Sequence, residues 1–333
     1  MQLTQIASAT LIASVLTACG GGGSGGSNSA ASAAQNDPNA AHVAGYVMKG
    51  AVAHGVVTAY AVTNGQKGEL LANALTDANG YYSLNIPSNY AGPVKIEVHA
   101  GSDSTMICDA ADGCGDAASI PSYDTNRNGK IDFGEEFPLD SDFELDAAVP
   151  SVTGGTSLNA AVTTITHMAA QYAERFSSGL NADSIAEANS QAANIFSVTG
   201  NILNLTPPNL ASSDAISKSD AASIHYAIMS AAILGVVDRE NLGSKLNELA
   251  QTFANLNGQL YQNHALDNSV ALDDIAEQAF ALADKLNLDE SRTKAARLLQ
   301  ISRRAAFSSL TDAQASPTST AEPVDKAKQF VAD

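Results

Sequence analysis

The hydrophobic period changes once along this chain, and that change bounds what it can fold into. Between residues 42 and 149 apolar side chains recur at every second position. Tyr82, Leu84 and Ile86 share one face of a short run, as do Val94, Ile96 and Val98, and again Phe143, Leu145, Ala147 and Val149. That is the spacing of half-buried strands. From Thr156 onward the period is helical, and Leu158, Val162, Ile165, Ala169 and Tyr172 fall on one stripe. Strands first and helices afterwards predict an α+β chain, not an alternating βαβ one. With 333 residues, 45% of them hydrophobic, the chain can bury a sizeable core and suits about two domains.

The expected strands are 43–48, 55–62, 70–75, 81–86, 94–98 and a returning 142–149, with Asn64-Gly65 and Asn79-Gly80 as turns that tolerate positive φ. Helices are expected near 156–177, 182–198, 217–237, 242–256, 271–286 and 290–307. Gly200, Pro207-Pro208 and Gly258 break them. High Ala content lets helices approach closely, so the second half reads as a bundle. Ala221 to Val237 is apolar but interrupted by His225 and Tyr226, which suits a buried central helix better than a membrane span. The domains are then 42–150, with 101–141 as an insertion, 151–307 as the helical part, and 308–333 as a flexible tail.

Thr76-Asp77-Ala78-Asn79-Gly80-Tyr81-Tyr82-Ser83-Leu84, preceded by Gly45-Tyr46-Val47 and Gly55-Val-Val-Thr-Ala-Tyr60, resembles the carboxypeptidase regulatory-like (transthyretin-like) β-sandwich. The resemblance covers about sixty residues. It implies a small sandwich that serves exported proteins as a non-catalytic spacer or binding surface. The stretch from Ser151 to Ala169 resembles the helical part of bacterial surface lipoproteins that carry such a sandwich.

The N-terminus agrees with export. The first eighteen residues hold no charged side chain, and Ile6 to Ala18 is an apolar run too short to span a bilayer, as in the core of a signal peptide (1–18). Leu16-Thr17-Ala18-Cys19 resembles the lipobox of bacterial lipoproteins, which implies cleavage before Cys19 and a lipid anchor on it. The bare alternative is an ordinary secretory signal. Gly20, where the resemblance puts Asp in inner-membrane lipoproteins, implies the outer membrane, facing the periplasm or the cell surface. Residues 19–41 are Gly, Ser, Ala and Asn-rich, too poor in apolar surface to offset ordering entropy, and read as a tether. The remaining cysteines, Cys108 and Cys114, are expected to form a local disulfide in an oxidising compartment. The alternative, a pair of metal ligands, lacks a second Cys or His pair nearby.

One motif carries chemistry. Asp124-Thr-Asn126-Arg-Asn128-Gly129-Lys130-Ile131-Asp132-Phe-Gly-Glu135 fits the EF-hand loop at every defined position. Asp124, Asn126 and Asn128 supply short oxygen donors at positions 1, 3 and 5. Gly129 allows the sharp turn, Lys130 lends its carbonyl, Ile131 anchors, Asp132 reaches through water and Glu135 is long enough to bind bidentately. Calcium, a hard cation that takes six to eight oxygens, is the expected ion. Two Asn ligands point to weak affinity, of order 10⁻⁴–10⁻³ M. Pro121 and Pro138 leave no room for flanking helices, so the motif resembles the isolated calcium loops of exported proteins. Asp109, Asp112 and Asp116 are candidates for a second weak site. Asp140, Asp142, Glu144 and Asp146 lack the Gly and read as the solvated face of a strand.

Charge narrows the function. Lys and Arg number 17 against 35 Asp and Glu, a net −18, which disfavours nucleic acid. Twelve acids between 101 and 150 face only Arg127 and Lys130, so that segment should loosen without a cation. Arg292, Lys294, Arg297, Arg303 and Arg304 make the last helix basic, either a solvated face or a dock for the acidic insert. His167 and His225 lie on Ala-rich helices and read as packed residues. No nucleophile elbow, P-loop, zincin or dinucleotide motif is present. The expectation is a lipid-anchored envelope protein that binds or assembles without catalysis, held to the membrane by its anchor, with a protein or glycan partner. A carbohydrate-binding accessory of an export or uptake system, stacking sugars on Tyr46, Tyr60, Tyr81 or Tyr90, is the first alternative. A metal-dependent enzyme using the acidic insert is the second.

Overall fold

The computed structural model describes residues 37–312, except 234, 236, 238 and 262–269, with the backbone alone for 303–312. The expected signal peptide, Cys19, most of the tether and the tail from 313 lie outside the described residues. The described chain mixes strands and helices, with several sheets and, among the described residues, seven α-helices.

Strand β1 (Ala41–Met48) is paired along both edges. On one side it runs antiparallel to β5 (Tyr81–Ile86), with Gly45 opposite Tyr82. On the other it runs parallel to β10 (Ser157–Asn159) and then β11 (Val162–Thr163). Gly45 is required here: a Cβ would sit 2.0 Å from the Ala160 carbonyl oxygen. A second sheet, antiparallel throughout, has the order β4 (Gln66–Leu75), β3 (Val56–Thr63), β6 (Ala91–His99), β9 (Glu144–Thr153). A third, small one joins β2 (Val52–Ala53), β7 (Thr105–Ile107) and β8 (Glu136–Pro138). The insertion at 101–141 is therefore not one long loop, because two of its segments extend β2.

The inner faces meet in one apolar core. Val57 and Ala59 of β3, Tyr82, Leu84 and Ile86 of β5, Val94, Ile96 and Val98 of β6, and Leu145, Ala147 and Val149 of β9 are all buried in it. The turn before β5 is built by side chains of the Thr76–Tyr82 motif. The buried Thr76 hydroxyl accepts the Gly55 N–H (2.8 Å) and donates to the Val52 carbonyl (2.6 Å). The Asp77 carboxylate accepts the amides of Asn79 (2.8 Å) and Tyr81 (2.9 Å), an Asx turn. Tyr82 donates its buried hydroxyl to the Ala160 carbonyl (2.5 Å).

The helices are α1 (Thr164–Glu174), α2 (Ala182–Ile195), α3 (Ser213–Lys218), α4 (Ala221–Ala232), α5 (Leu242–Asn255), α6 (Leu272–Lys285) and α7 (Asp289–Asp312). Helix α1 starts eight residues later than its apolar stripe predicts. The preceding 157–159 and 162–163 are taken as strands by the open edge of β1, and Thr163 then caps the helix, its side chain and that of Thr166 exchanging backbone bonds. Helices α1 and α2 lie on the outer face of β9, where Ala148 packs with Ala170, Ala173, Ile185 and Ala188. Strand β9 runs across residues 150 and 151, where a domain division was expected. Core residues from both sides of that point belong to one cluster, so strands and helices share a core. No helix among the described residues is long and apolar enough to cross a membrane.

Candidate metal centre

Residues 124–135 fold into a closed loop whose polar side chains turn inward on its own backbone. The Asp124 carboxylate accepts the amides of Asn128 (3.1 Å) and Gly129 (2.8 Å). Asn126 Oδ1 accepts the Asn128 amide (3.0 Å), and Asn128 Oδ1 accepts that of Lys130 (2.8 Å). Glu135 closes the ring: one oxygen accepts the Asp132 amide (2.9 Å), the other the Thr125 amide (2.8 Å) and hydroxyl. The Thr125 hydroxyl and then the Asp132 amide hold the Glu135 carboxyl below its ordinary value. Asp132 Oδ2 accepts both side-chain amides, of Asn126 and Asn128, each at 2.6 Å. Arg127 and Gly129 take the left-handed conformation that the turn needs. Ile131 is fully buried beneath the loop.

Hydrogen bonds within the loop thus link Asn126 and Asn128 to the Asp132 carboxylate, Asp124 to the Asn128 amide and Glu135 to the Asp132 amide, while the three carboxylates do not draw within 4.8 Å of one another as those of Glu97, Glu144 and Asp146 do. The Lys130 side chain is exposed and takes no part, which leaves its carbonyl as the donor expected at that position. Three carboxylates and two amides, all oxygen-bearing and short of sulfur or nitrogen ligands, fit a hard cation.

Cys108 and Cys114 are joined by a disulfide, with Cα atoms 5.8 Å apart. The loop they close backs onto the acidic motif. Cys108 donates to the Glu135 carbonyl (2.7 Å) and accepts from Gly134 (2.8 Å), and Cys114 donates to the Ile131 carbonyl (2.7 Å). Asp109 does not join Asp112 and Asp116 in a second site. It is buried against Lys49 at 2.8 Å, and burial, opposed by that ammonium, pushes its carboxyl up to about 6. The insert is held by Arg239, which donates to the Asp116 carbonyl (3.0 Å) and Ser119 (2.7 Å), and by Lys285, which donates to the Ala111 carbonyl (3.0 Å). Among the described residues the last helix does not supply those contacts, and the Arg303 and Arg304 side chains lie outside the described residues. Its Arg292 pairs with Asp284 and Asp289, and Lys294 with Glu290.

A second charged cluster lies between the β6–β9 face and α1, and sequence reasoning missed it. Lys95 Nζ is 2.7 Å from Glu174, 3.2 Å from Glu97 and 3.3 Å from Asp146. Glu97 and Asp146 are direct cross-strand partners, a repulsive placement unless a cation sits between them. Lys67 adds a bidentate contact to Glu97 at 2.8 and 2.9 Å. Burial disfavours the Glu97 anion, but His99, Lys67 and Lys95 outweigh it and hold the carboxyl at about 2. For Asp146, burial is likewise outweighed, by Lys95 (3.3 Å) and Gln171 (3.0 Å), and its carboxyl stays below the usual range. Carboxylate oxygens of Glu97, Glu144 and Asp146 lie within 4.8 Å of one another, close enough for a metal; Lys67 pairs with Glu97 and Lys95 with Glu97 and Asp146, whereas burial and then the Asp146 charge raise the Glu144 carboxyl. Asp146 is fully buried, which corrects its reading as part of a solvated face: α1 covers that face of β9. A signal existed in the Lys95, Glu97 and Asp146 positions, which alternate with core residues on two strands.

His167 and His225 are buried. His167 Nδ1 accepts the Asp146 amide (3.1 Å). Burial, helped by Lys294, pulls the His225 ring down to about 4, so it packs as a neutral group. Of the tyrosines weighed for sugar stacking, Tyr60 faces the Lys67 ammonium (4.7 Å), and Tyr90 donates to the Pro93 carbonyl and accepts the Val62 amide (3.1 Å). Tyr46 and Tyr81 meet edge to face at 5.4 Å, with Tyr81 37% exposed. Comparison with protein-family models, with characterised proteins and with solved structures returned no match.

Proposed function

We propose that this chain is a non-catalytic envelope protein, lipid-anchored through Cys19 at the outer membrane, whose transthyretin-like β part is ordered by calcium at 124–135 and whose helical part is a bundle packed against it. The observation that carries the calcium reading is the closed arrangement of Asp124, Asn126, Asn128, Asp132 and Glu135. The ion would be held by those side chains and the Lys130 carbonyl, displacing the two amide N–H groups now bonded to Asp132. It would neutralise an insert rich in acids, where Asp124 and Glu135 are nearly buried. The role is a structural clamp, which leaves binding or assembly to the surfaces it fixes.

Calcium titration of the full chain, by calorimetry and by unfolding with and without EGTA, tests this. A ligand at one hundred times its Kd adds about 2.7 kcal/mol to stability. With a Kd of order 10⁻⁴–10⁻³ M that gain is expected at about 10–100 mM calcium and is expected to vanish in an Asp124→Ala, Glu135→Ala double variant. No heat and no shift would reduce the loop to an acidic turn. A carbohydrate-binding reading is favoured only by the half-exposed Tyr46–Tyr81 pair. A glycan pull-down that fails equally with Tyr81→Ala and with the native chain would remove it.

A further inference from the structure

The charged cluster on β6 and β9 is laid out in rungs. Lys95 stands opposite Ala148, Glu97 opposite Asp146 and His99 opposite Glu144. Side chains two apart on a strand share a face, so all of these lie on one side of the sheet. The ammonium enters from the Lys95 rung. It is closest to Glu174 (2.7 Å) and reaches Glu97 Oε1 (3.2 Å) and Asp146 Oδ2 (3.3 Å). Gln171 donates to the same Asp146 oxygen (3.0 Å). The His99–Glu144 rung, on the far side, brings no such cation. His99 Nε2 stands 3.7 Å from Glu97 Oε2, and among the described residues nothing pairs with the Glu144 carboxylate. Asp146 Oδ1 is buried without a hydrogen-bond partner, on a side chain 0% exposed. The cost of desolvating that oxygen is offset by nothing in the chain. Charge leads to the same place. Glu97, Glu144, Asp146 and Glu174 face Lys67 and Lys95, which leaves two negative charges uncovered with His99 neutral. His167 adds no charge, because its Nδ1 accepts the Asp146 amide.

We propose that Glu97, His99, Glu144 and Asp146 form a zinc site, separate from the 124–135 loop. Carboxylate oxygens of the three acids already lie within 4.8 Å of one another. Zinc binds such oxygens at about 2.0–2.2 Å, so two ligands of one ion stand at most about 4.4 Å apart. A closing shift of about 0.4 Å brings the three oxygens to that spacing. The His99 side chain, 43% exposed, has room to turn its Nε2 onto the ion. The donor set selects the metal. Calcium and magnesium take oxygen ligands, whereas an imidazole beside carboxylates suits zinc. Zinc is satisfied by four ligands, and four protein ligands leave no open position for catalysis. Its two positive charges match the two uncovered negative ones, and Asp146 Oδ1 gains the partner it lacks. The ion enters past His99 and Glu144, both half-buried, and ties the last residue of β6 to the first of β9.

The test is calorimetric titration of Zn²⁺ into the full chain, into Glu144→Gln and His99→Gln variants, and into the Asp124→Ala, Glu135→Ala chain. The expected result is one ion bound by the native chain and equally well by the Asp124→Ala, Glu135→Ala chain. Binding is expected to weaken by at least about tenfold in Glu144→Gln and in His99→Gln. No zinc heat in the native chain overturns the proposal, as does an unchanged affinity in either single variant. Zinc binding that is lost in the Asp124→Ala, Glu135→Ala chain assigns the ion to 124–135 and overturns it as well. Both single substitutions leave Lys95 its contacts with Glu97, Asp146 and Glu174. A second measurement needs no variant. Co²⁺ replaces zinc in the native chain, and its visible spectrum is expected to be that of a four-coordinate site with one nitrogen ligand. A six-coordinate, all-oxygen spectrum overturns the site.

Discussion

Lys49 and Asp109 form an ion pair of 2.8 Å inside the protein, their side chains 2% and 6% exposed. The pair joins three parts of the chain: the end of β1, the disulfide loop, and α4, whose Ala231 carbonyl accepts a second bond from Lys49 (3.0 Å). Removing one partner leaves the other charge buried and unmatched. Lys49→Met is therefore expected to cost about 3–5 kcal/mol in chemical denaturation, whereas Lys49→Met with Asp109→Leu recovers most of that loss. A double variant no better than the single one would show that the pair is not the source of the cost.

The cluster around Lys95 sets an acid limb. The Glu97 carboxyl lies at about 2 in the folded chain against 4.5 ordinarily. A lowered value means that its stabilisation is complete above pH 4.5 and is lost as pH falls toward 2. Asp146 acts in the same sense. Asp109, raised to about 6, acts in the opposite one, its contribution falling as pH rises from 3.8 to 6. Glu97→Gln should lower stability at pH 7 by about 1.5–3 kcal/mol and flatten the loss below pH 4.5. Unfolding curves of both chains across pH 2–7 check this, and superimposable acid limbs would contradict it.

Two glycines in turns separate conformational strain from crowding. Gly80 has φ +80, and a Cβ there would lie 2.6 Å from the Val47 carbonyl oxygen. Gly129 has φ +88 with nothing within 4 Å of that point. Gly129→Ala is expected to cost about 1–2 kcal/mol, the left-handed penalty alone. Gly80→Ala adds a clash with backbone and should cost more, about 3 kcal/mol or above. The order of the two midpoints in urea is the readout.

Much of the strand layout is legible because its core faces are uniformly apolar. Tyr82, Leu84 and Ile86, and Val94, Ile96 and Val98, are all buried as their spacing implies. The acidic loop is legible because each of its positions demands a residue type. Lys95, Glu97 and Asp146 are hidden in the same strands, since a charged alternate position looks like a wet face until a helix is laid over it. Strands β10 and β11 are hidden for another reason. Three and two residues are too few to show a period, and Leu158 and Val162 also fit a helical stripe. The pairing of the disulfide loop with 129–135 runs through backbone atoms, which carry no sequence signal.

The double-sided pairing of β1 has a mechanical consequence. Before it, the Asp37 carboxylate accepts the Ser88 amide (2.9 Å) and the Asn39 carbonyl accepts Gly155 (2.7 Å). Tension applied to the chain ahead of Asp37 therefore runs along β1 and shears its ladders to β5 on one flank and to β10 and β11 on the other. Bonds loaded in shear share the force and must fail together, unlike a hairpin peeled open from its tip one rung at a time. The end through which the chain would be moored is thus the end built to resist being pulled.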